Sequence, residues 1–144
     1  MSLTPNAHTD FVKAVHVLPA PFSNVVASAS SDKDVRLWDL GAVLASSGAT
    51  DATPALKTLA RLRGHVRTVN CLASMLVKNA EGAIEVLLLS ADSLGEVRGW
   101  RVRRDGDAVK ADEAWSTRPH QMAVHDMLIE ENEEEVRLWT GAWS

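Results

Sequence analysis

Three short segments of mixed apolar and polar residues recur along the chain, and each begins four residues after a histidine. The segment VKAVHVL follows His8, VNCLASML follows His65, and VHDMLI follows His120. Apolar runs broken by polar residues are typical of strands of mixed burial. The fixed spacing from each histidine indicates an internal repeat, so we predict three strands in equivalent positions.

Two β-hairpins are predicted after the first two segments. Residues 25–40 (VVASASSDKDVRLWDL) and residues 86–102 (VLLLSADSLGEVRGWRV) align without a gap around Trp38 and Trp100. Each combines a strand, a polar turn rich in the Asp, Ser and Gly that tight turns favour, and an outgoing strand with Val-Arg-x-Trp. Residues 136–144 (VRLWTGAWS) match only the incoming strand of a third hairpin.

The repeat is longer than a four-stranded unit requires. Successive histidines are farther apart than the roughly 40–45 residues of such a unit. We assign the excess to insertions between strands, at residues 41–55, 77–84 and 103–113. The first of these is rich in Ala, Ser, Gly and Thr, which favours a surface loop.

A Gly-His pair and a hairpin ending in Trp-Asp occur here as Gly64-His65 and Trp38-Asp39. In these features the chain resembles the WD-repeat β-propeller family over nearly its whole length. The resemblance implies an all-β fold, a partial propeller of two four-stranded blades and the start of a third. Its WD-repeat region would span residues 1–144, with repeats at about 8–40, 64–102 and 119–144.

The resemblance also implies a row of hydrogen bonds in each blade, from a Trp through a hydroxyl to a His and an Asp. Such a row satisfies every buried polar group and fixes how adjacent strands stack. By position its members are His8, Ser28, Asp32 and Trp38 in the first copy, His65, Ser90 and Trp100 in the second, and His120 and Thr140 in the third. The second copy has Leu94 where Asp is expected, with Asp92 or Ser93 as alternatives.

Partners of WD-repeat proteins commonly bind the narrow top face of the propeller. The resemblance therefore implies a protein–protein interaction scaffold. The candidate partner-binding residues on that face are Phe11, Lys13, Ser31, Thr68, Asn70, Ser93, His125 and Trp143. Phe11 and Trp143 would be aromatic anchors, the usual hot spots of interfaces, although packing on neighbouring strands is the alternative for each.

Two and a half blades cannot close a ring, because closed propellers have roughly four to eight blades. An open stack would expose strand edges and an unburied blade face. We therefore expect a fragment or N-terminal part of a larger intracellular propeller that serves as a subunit of a multiprotein complex. Completion of the ring by oligomerisation and a non-functional truncated product are the alternatives.

Enzyme and metal functions find little support in the sequence. His8, Ser28 and Asp32 are the residue types of a hydrolase triad, but no G-x-S-x-G motif accompanies them, and a propeller enzyme using its central channel would need more polar inner strands. His120, His125, Asp126 and Glu130 lack the H-E-x-x-H or paired-cysteine patterns of metal sites. We expect no catalytic residue, no metal and no cofactor.

Composition and charge exclude several further classes. The formal charge of −4 gives no bulk attraction to nucleic acid or acidic membranes, and the arginines at 98, 101, 103 and 104 are interpreted as a solvated strand end. The acidic run at residues 130–135 is interpreted as a solvated loop, with a site for a basic partner as the alternative. A single cysteine, Cys71, and no signal peptide or apolar span predict a cytoplasmic or nuclear protein.

Overall fold

The computed structural model describes residues 8–41, 57–106, 108–131 and 136–142, which form three antiparallel sheets. The first sheet contains β1 (Val12–Val17), β2 (Val25–Ser30), β3 (Val35–Asp39) and β4 (Lys57–Leu62) in that order. The second contains β5 (Val69–Lys78), β6 (Ile84–Asp92), β7 (Val97–Asp105) and β8 (Ala108–Thr117), also in order. The third pairs β9 (Val124–Glu131) with β10 (Val136–Ala142).

The sheets stack face to face around two apolar clusters. Val25, Ala27 and Leu37 of the first sheet pack in one cluster with Leu88 and Trp100 of the second. In the other cluster, residues of the second sheet pack against the third; its buried members are Cys71, Ala73, Leu89, Ala91, Val97, Val124 and Met127. The second sheet is therefore covered on both faces. The predicted all-β architecture, with two four-stranded sheets and the start of a third, is confirmed.

The interpretation of residues 103–113 as an insertion is wrong. These residues end β7 and begin β8, and Arg103 lies opposite Lys110 and Asp105 opposite Ala108 in the ladder. The charged side chains pair across the two strands, Arg103 with Asp112 and Lys110 with Asp105. Charged residues are also usual on a strand at a sheet edge, which is why this stretch resembles a loop in sequence.

The other two insertions have different outcomes. Of residues 77–84, only 79–83 form a turn, because Val77 and Lys78 end β5 and Ile84 begins β6. Asn79 organises that turn, since its Oδ1 accepts hydrogen bonds from the backbone N–H groups of Glu81 and Ala83, both at 2.9 Å. The segment 41–55 lies outside the described residues except for Gly41. Much of the extra length of the second repeat is thus strand and not loop.

One edge of the stack gathers the loops that carry the three histidines. The register places Val12 opposite Ser30, Val69 opposite Asp92, and Val97 opposite Thr117, so these strand ends lie at the same edge. We call this the histidine edge; its loops are residues 8–11, 31–34, 63–68, 93–96 and 118–123. The opposite edge, where β4 begins at Lys57 and β5 ends at Lys78, is called the far edge.

The third sheet has an uncovered face that carries Leu128 and Trp139. These two residues lie opposite each other in the ladder and are 64% and 53% exposed. By position Trp139 corresponds to Leu89 of the second sheet and Ala27 of the first, which are buried. In those sheets the equivalent face is covered by the next sheet of the stack. Nowhere in the described ranges is there a helix long and apolar enough to cross a membrane.

Candidate functional site on the histidine edge

The first sheet holds a directional row of hydrogen bonds. Trp38 Nε1 donates to Ser28 Oγ at 2.8 Å, Ser28 Oγ bonds His8 Nε2 at 2.6 Å, and His8 Nδ1 bonds Asp32 Oδ2 at 2.8 Å. The indole can only donate and the carboxylate can only accept. His8 Nδ1 therefore carries a proton and donates it to Asp32.

The second sheet repeats this row around His65. Trp100 Nε1 donates to Ser90 Oγ at 2.7 Å, and Ser90 Oγ lies 2.7 Å from His65 Nε2. His65 Nδ1 donates to Asp92 Oδ2 at 2.7 Å. Of the alternatives to Leu94, Asp92 supplies the carboxylate and Ser93 does not. The second repeat thus has a complete set of partners, although its sequence lacks Asp at the expected position.

In the third sheet, only the hydrogen bond between the hydroxyl and the histidine is described. His120 Nε2 lies 2.6 Å from Thr140 Oγ1. Thr140 on β10 therefore occupies the position of Ser28 and Ser90. Ser144, the residue aligned with Asp32, lies outside the described residues.

The two aspartates also hold the turns that contain them. Asp92 Oδ1 accepts from the backbone N–H groups of Leu94 at 2.9 Å and Glu96 at 3.0 Å. Burial opposes ionisation of Asp92, but the bonds from His65 and from these amides outweigh it and lower its pKa. The pKa of Asp32 is lowered in the same way, by hydrogen bonds from Asp34, His8 and Thr9 against the effect of burial.

Ion pairs fix the outer strands next to these rows. In the first sheet Asp34 pairs with Arg61 of β4. The equivalent residue of the second sheet, Glu96, pairs with Arg98, which also reaches Glu113 of β8 at 2.6 Å. A Cβ atom on Gly64 would lie 2.8 Å from the Arg98 guanidinium, so the glycine of the Gly-His pair makes room for this arginine.

The triad-like residues of the first sheet serve as a structural row. Ser28 is 5% exposed, and its oxygen already accepts from the Trp38 indole and is hydrogen-bonded to His8. Cys71 is buried, and burial, followed by the charge of Asp126, raises the pKa of its thiol to about 12. The thiol is therefore protonated at neutral pH and is a poor nucleophile.

A cluster that the sequence does not reveal is formed by His65, Asp92 and Glu96. Within the described ranges this is the one group of His, Cys, Asp and Glu whose potential metal-ligand atoms lie within 4.8 Å of one another. Its donor atoms are engaged, since Asp92 accepts three hydrogen bonds and Glu96 pairs with Arg98. The four residues considered from the sequence (His120, His125, Asp126 and Glu130) do not form such a group.

The structure places the candidate partner-binding residues next to one another in pairs. The backbone of Ser31 donates to the carbonyl of Phe11 at 2.8 Å, and that of Ser93 donates to the carbonyl of Thr68 at 3.0 Å. Phe11 is 78% exposed. Lys13 and His125 are also exposed, whereas Ser31, Thr68, Asn70 and Ser93 are half-buried. Trp143 lies outside the described residues.

The structure adds contacts to two of these interpretations. Asn70 links sheets, because its Nδ2 donates to the carbonyl of Val124 at 3.1 Å. The arginines at 98, 101, 103 and 104 are not a merely solvated strand end: the first three are ion-paired, and Arg104 donates to Asn24 Oδ1 at 3.0 Å and lies over the Phe22 ring.

Of the acidic run, Glu130 accepts from the Trp139 indole at 3.1 Å, and residues 132–135 are outside the described part.

Other edge residues were missed by reasoning from sequence. Val66 and Met122 are 59% and 54% exposed, and the nearby Arg63, Arg67 and Arg118 are exposed as well. They lie between the predicted strands, at positions other than those carried over from the family. The sequence feature that could have identified these residues is their position in the loops that contain His65 and His120. Their exposure could not be predicted in this way, because it depends on how the neighbouring sheets pack.

The stack of four-stranded sheets, each with a Trp-Ser-His-Asp row, defines a partial β-propeller. The family model of the WD domain, G-beta repeat (WD40), matches residues 2–39, which include His8, Ser28, Asp32 and Trp38. Residues 2–39 therefore form a WD repeat, and the second sheet repeats its row of hydrogen bonds. Comparison with curated proteins finds no match.

Proposed function

We propose that the chain is a scaffold subunit of a multiprotein complex and that it binds its partner through the histidine edge. WD repeats support a protein-interaction kind of function. The observation that carries the proposal is Phe11, an aromatic side chain 78% exposed on a loop fixed by hydrogen bonds. Thr9 N–H donates to Asp32 Oδ2 at 3.0 Å, and the Phe11 carbonyl accepts from Ser31.

This rigidity favours binding. A loop that is already ordered loses little conformational entropy when a partner binds, so more of the contact free energy appears as affinity. Large aromatic side chains are common hot spots when they enter a pocket of the partner. Phe11 combines both properties.

Affinity capture from a cell extract with matched variants tests the proposal. The edge variant carries Phe11→Ala and Lys13→Ala. The control carries Ile84→Ala and Lys78→Ala, which remove an exposed apolar residue and an exposed lysine at the far edge. We expect a partner, identified by mass spectrometry, that the wild type and the control capture and the edge variant loses. Equal recovery by both variants would rule out the edge as the contact surface.

We further propose that the uncovered face of the third sheet is covered in the working protein, by further blades or by a second copy of the chain. The support is the register, because Leu89 and Ala27 are buried where Trp139 is 53% exposed. The 144-residue protein should then self-associate with rising concentration in sedimentation velocity, and Leu128→Ser with Trp139→Ser should reduce this. A monomer at all concentrations would contradict the proposal.

A further inference from the structure

Four arginines on the body of the sheets are neutralised by carboxylates. The pairs are Arg61 with Asp34, Arg98 with Glu96 and Glu113, Arg101 with Glu85, and Arg103 with Asp112. A charge paired in this way attracts a charged ligand only weakly, because it already has a counterion at contact distance.

Cations on the histidine edge differ. Lys33, Arg63, Arg67 and Arg118 are all exposed. Across residues 8–41, 57–106, 108–131 and 136–142, none of the four has a carboxylate within ion-pair distance. Arg118 is held in place by its Nε, which donates to the carbonyl of Leu94 at 2.9 Å. The edge therefore presents cations whose charge is not neutralised.

Most carboxylates of the same edge are not available to a partner. The side chains of Asp32 and Asp92 are 5% and 1% exposed and are hydrogen-bonded to histidines and backbone amides, and Asp34 and Glu96 are paired with arginines. Asp10 is the exposed exception, and its Oδ1 accepts from the backbone of Phe11 at 2.8 Å. Among the described edge residues the exposed charges are thus mostly positive, on a chain whose formal charge is −4.

Exposed apolar side chains lie among these cations. Phe11, Val66 and Met122 are 78%, 59% and 54% exposed, and each belongs to the loop that leads into the first strand of its sheet. Those first strands, β1, β5 and β9, are neighbours in the stack. The apolar side chains therefore follow one side of the edge, and two of their loops also carry the arginines: Arg63 and Arg67 with Val66, and Arg118 with Met122.

We propose that the histidine edge binds an acidic segment of a partner protein that also carries apolar side chains, an inference that rests on the scaffold function proposed above. Arg63, Arg67 and Arg118 bind its carboxylates, since a guanidinium can donate two parallel hydrogen bonds to a carboxylate. Phe11, Val66 and Met122 contact its apolar residues. The mixture of isolated cations and apolar side chains favours such a peptide over nucleic acid, because the described loops of the edge offer one exposed phenyl or indole ring, that of Phe11, where a single strand requires several for stacking.

The experiment is selection of random twelve-residue peptides displayed on phage against the 144-residue protein. Enriched peptides are synthesised with a fluorescent label, and their dissociation constants are measured by anisotropy at 50 and 300 mM salt. We expect enrichment of Glu and Asp together with Leu, Phe or Trp. We also expect weaker binding at the higher salt concentration, because screening shortens the reach of exposed charges to below about 10 Å above 0.1 M.

Two charge-matched variants locate the binding surface. Arg63→Ala with Arg67→Ala removes two exposed cations from the histidine edge, and Lys57→Ala with Lys78→Ala removes two from the far edge. Within the described part of the chain none of these four side chains has an ion pair. The first pair should weaken binding about tenfold or more, as expected for loss of charge-assisted contacts, whereas the second should leave it unchanged. Equal melting temperatures show that both variants are folded.

The remaining outcomes separate this inference from the scaffold function. If the selected peptides are neutral or basic and do not bind the Phe11→Ala and Lys13→Ala variant, the proposal of an acidic partner is overturned. The edge would then still be a binding surface. An oligonucleotide that binds more tightly than the selected peptides would also overturn it. Failure to enrich any peptide would contradict both proposals, as would binding that all variants retain.

Discussion

The first and second sheets make the same row of hydrogen bonds with carboxylates from different positions. Asp32 lies within the turn of the first sheet, whereas Asp92 is the last residue of β6 in the second. The turns have equal length, with Lys33 at φ 75° and Gly95 at φ 86° in equivalent places. Either position brings a carboxylate to the histidine, so the position of the oxygen atom in space defines the row.

The two rows also differ in their surroundings. In the second sheet Trp100 belongs to the core shared with the first sheet, and its histidine bonds are buried. In the first sheet Ser28 and Trp38 lie on the face opposite Ala27 and Leu37, because successive residues of a strand point to opposite faces. The side chains of His8 and Asp32 are 3% and 5% exposed, compared with 0% and 1% for His65 and Asp92, so the first row is slightly less enclosed.

The largest expected effect is the loss of Asp92. Asp92→Ala leaves His65 and the amides of Leu94 and Glu96 without their acceptor in a buried site, so it should cost about 3–5 kcal/mol. Asp32→Ala removes as many bonds at a slightly less enclosed site and should cost about 1–3 kcal/mol. Urea unfolding of both variants measures the difference. Equal losses would show that enclosure between two sheets does not matter.

Gly95 and Lys33 provide a smaller contrast. A Cβ atom on Gly95 would lie 2.1 Å from the carbonyl oxygen of His120 and 2.8 Å from that of Met122. Gly95→Ala should therefore cost about 2–4 kcal/mol, from this clash with backbone and from strain at positive φ. Lys33→Gly should change stability by less than about 1 kcal/mol, because glycine accepts this conformation without strain. Thermal unfolding compares the two, and a tolerated Gly95→Ala would contradict the contact between the second turn and the loop of His120.

Acid unfolding gives the smallest effect. The pKa of Asp92 in the folded protein is lowered from its ordinary value of 3.8, so its stabilisation is complete above that value and is lost as the pH falls through the lowered pKa. We expect the free energy of unfolding to decline below about pH 5 and to decline less steeply in Asp92→Asn. Urea titrations from pH 7 to pH 2 measure both slopes. Parallel slopes would mean that Asp92 titrates alike in the folded and unfolded chain.

The sequence predicted the repeats and the strands of the two hairpins because their apolar residues and turns recur in register. It failed where two patterns resemble each other. The charged residues of β8 resemble a loop in sequence. An edge strand whose side chains form ion pairs with the neighbouring strand needs few apolar residues. The sequence offered Asp92 as only one of two replacements for an Asp at position 94. Which residue bonds His65 depends on the direction in which the side chain of the last residue of β6 points.

The histidine edge was predictable to a similar extent. Phe11 was identified by its spacing from His8, and the structure leaves it exposed. Val66, Arg67 and Met122 were missed, since exposure within a loop follows from the packing of whole sheets on one another. Ion pairing was also hidden, because Arg98 and Glu113 meet only when β7 and β8 are aligned.

Moving the carboxylate within the second turn tests the central claim most directly. The variant Asp92→Ser with Leu94→Asp gives the second sheet the residues of the first, Ser30 and Asp32, in their own positions. Its free energy of unfolding in urea should lie within about 1 kcal/mol of the wild type, while Asp92→Ser alone should lose about 2–4 kcal/mol, because a buried histidine is left without a carboxylate. A double variant no more stable than Asp92→Ser would contradict the account.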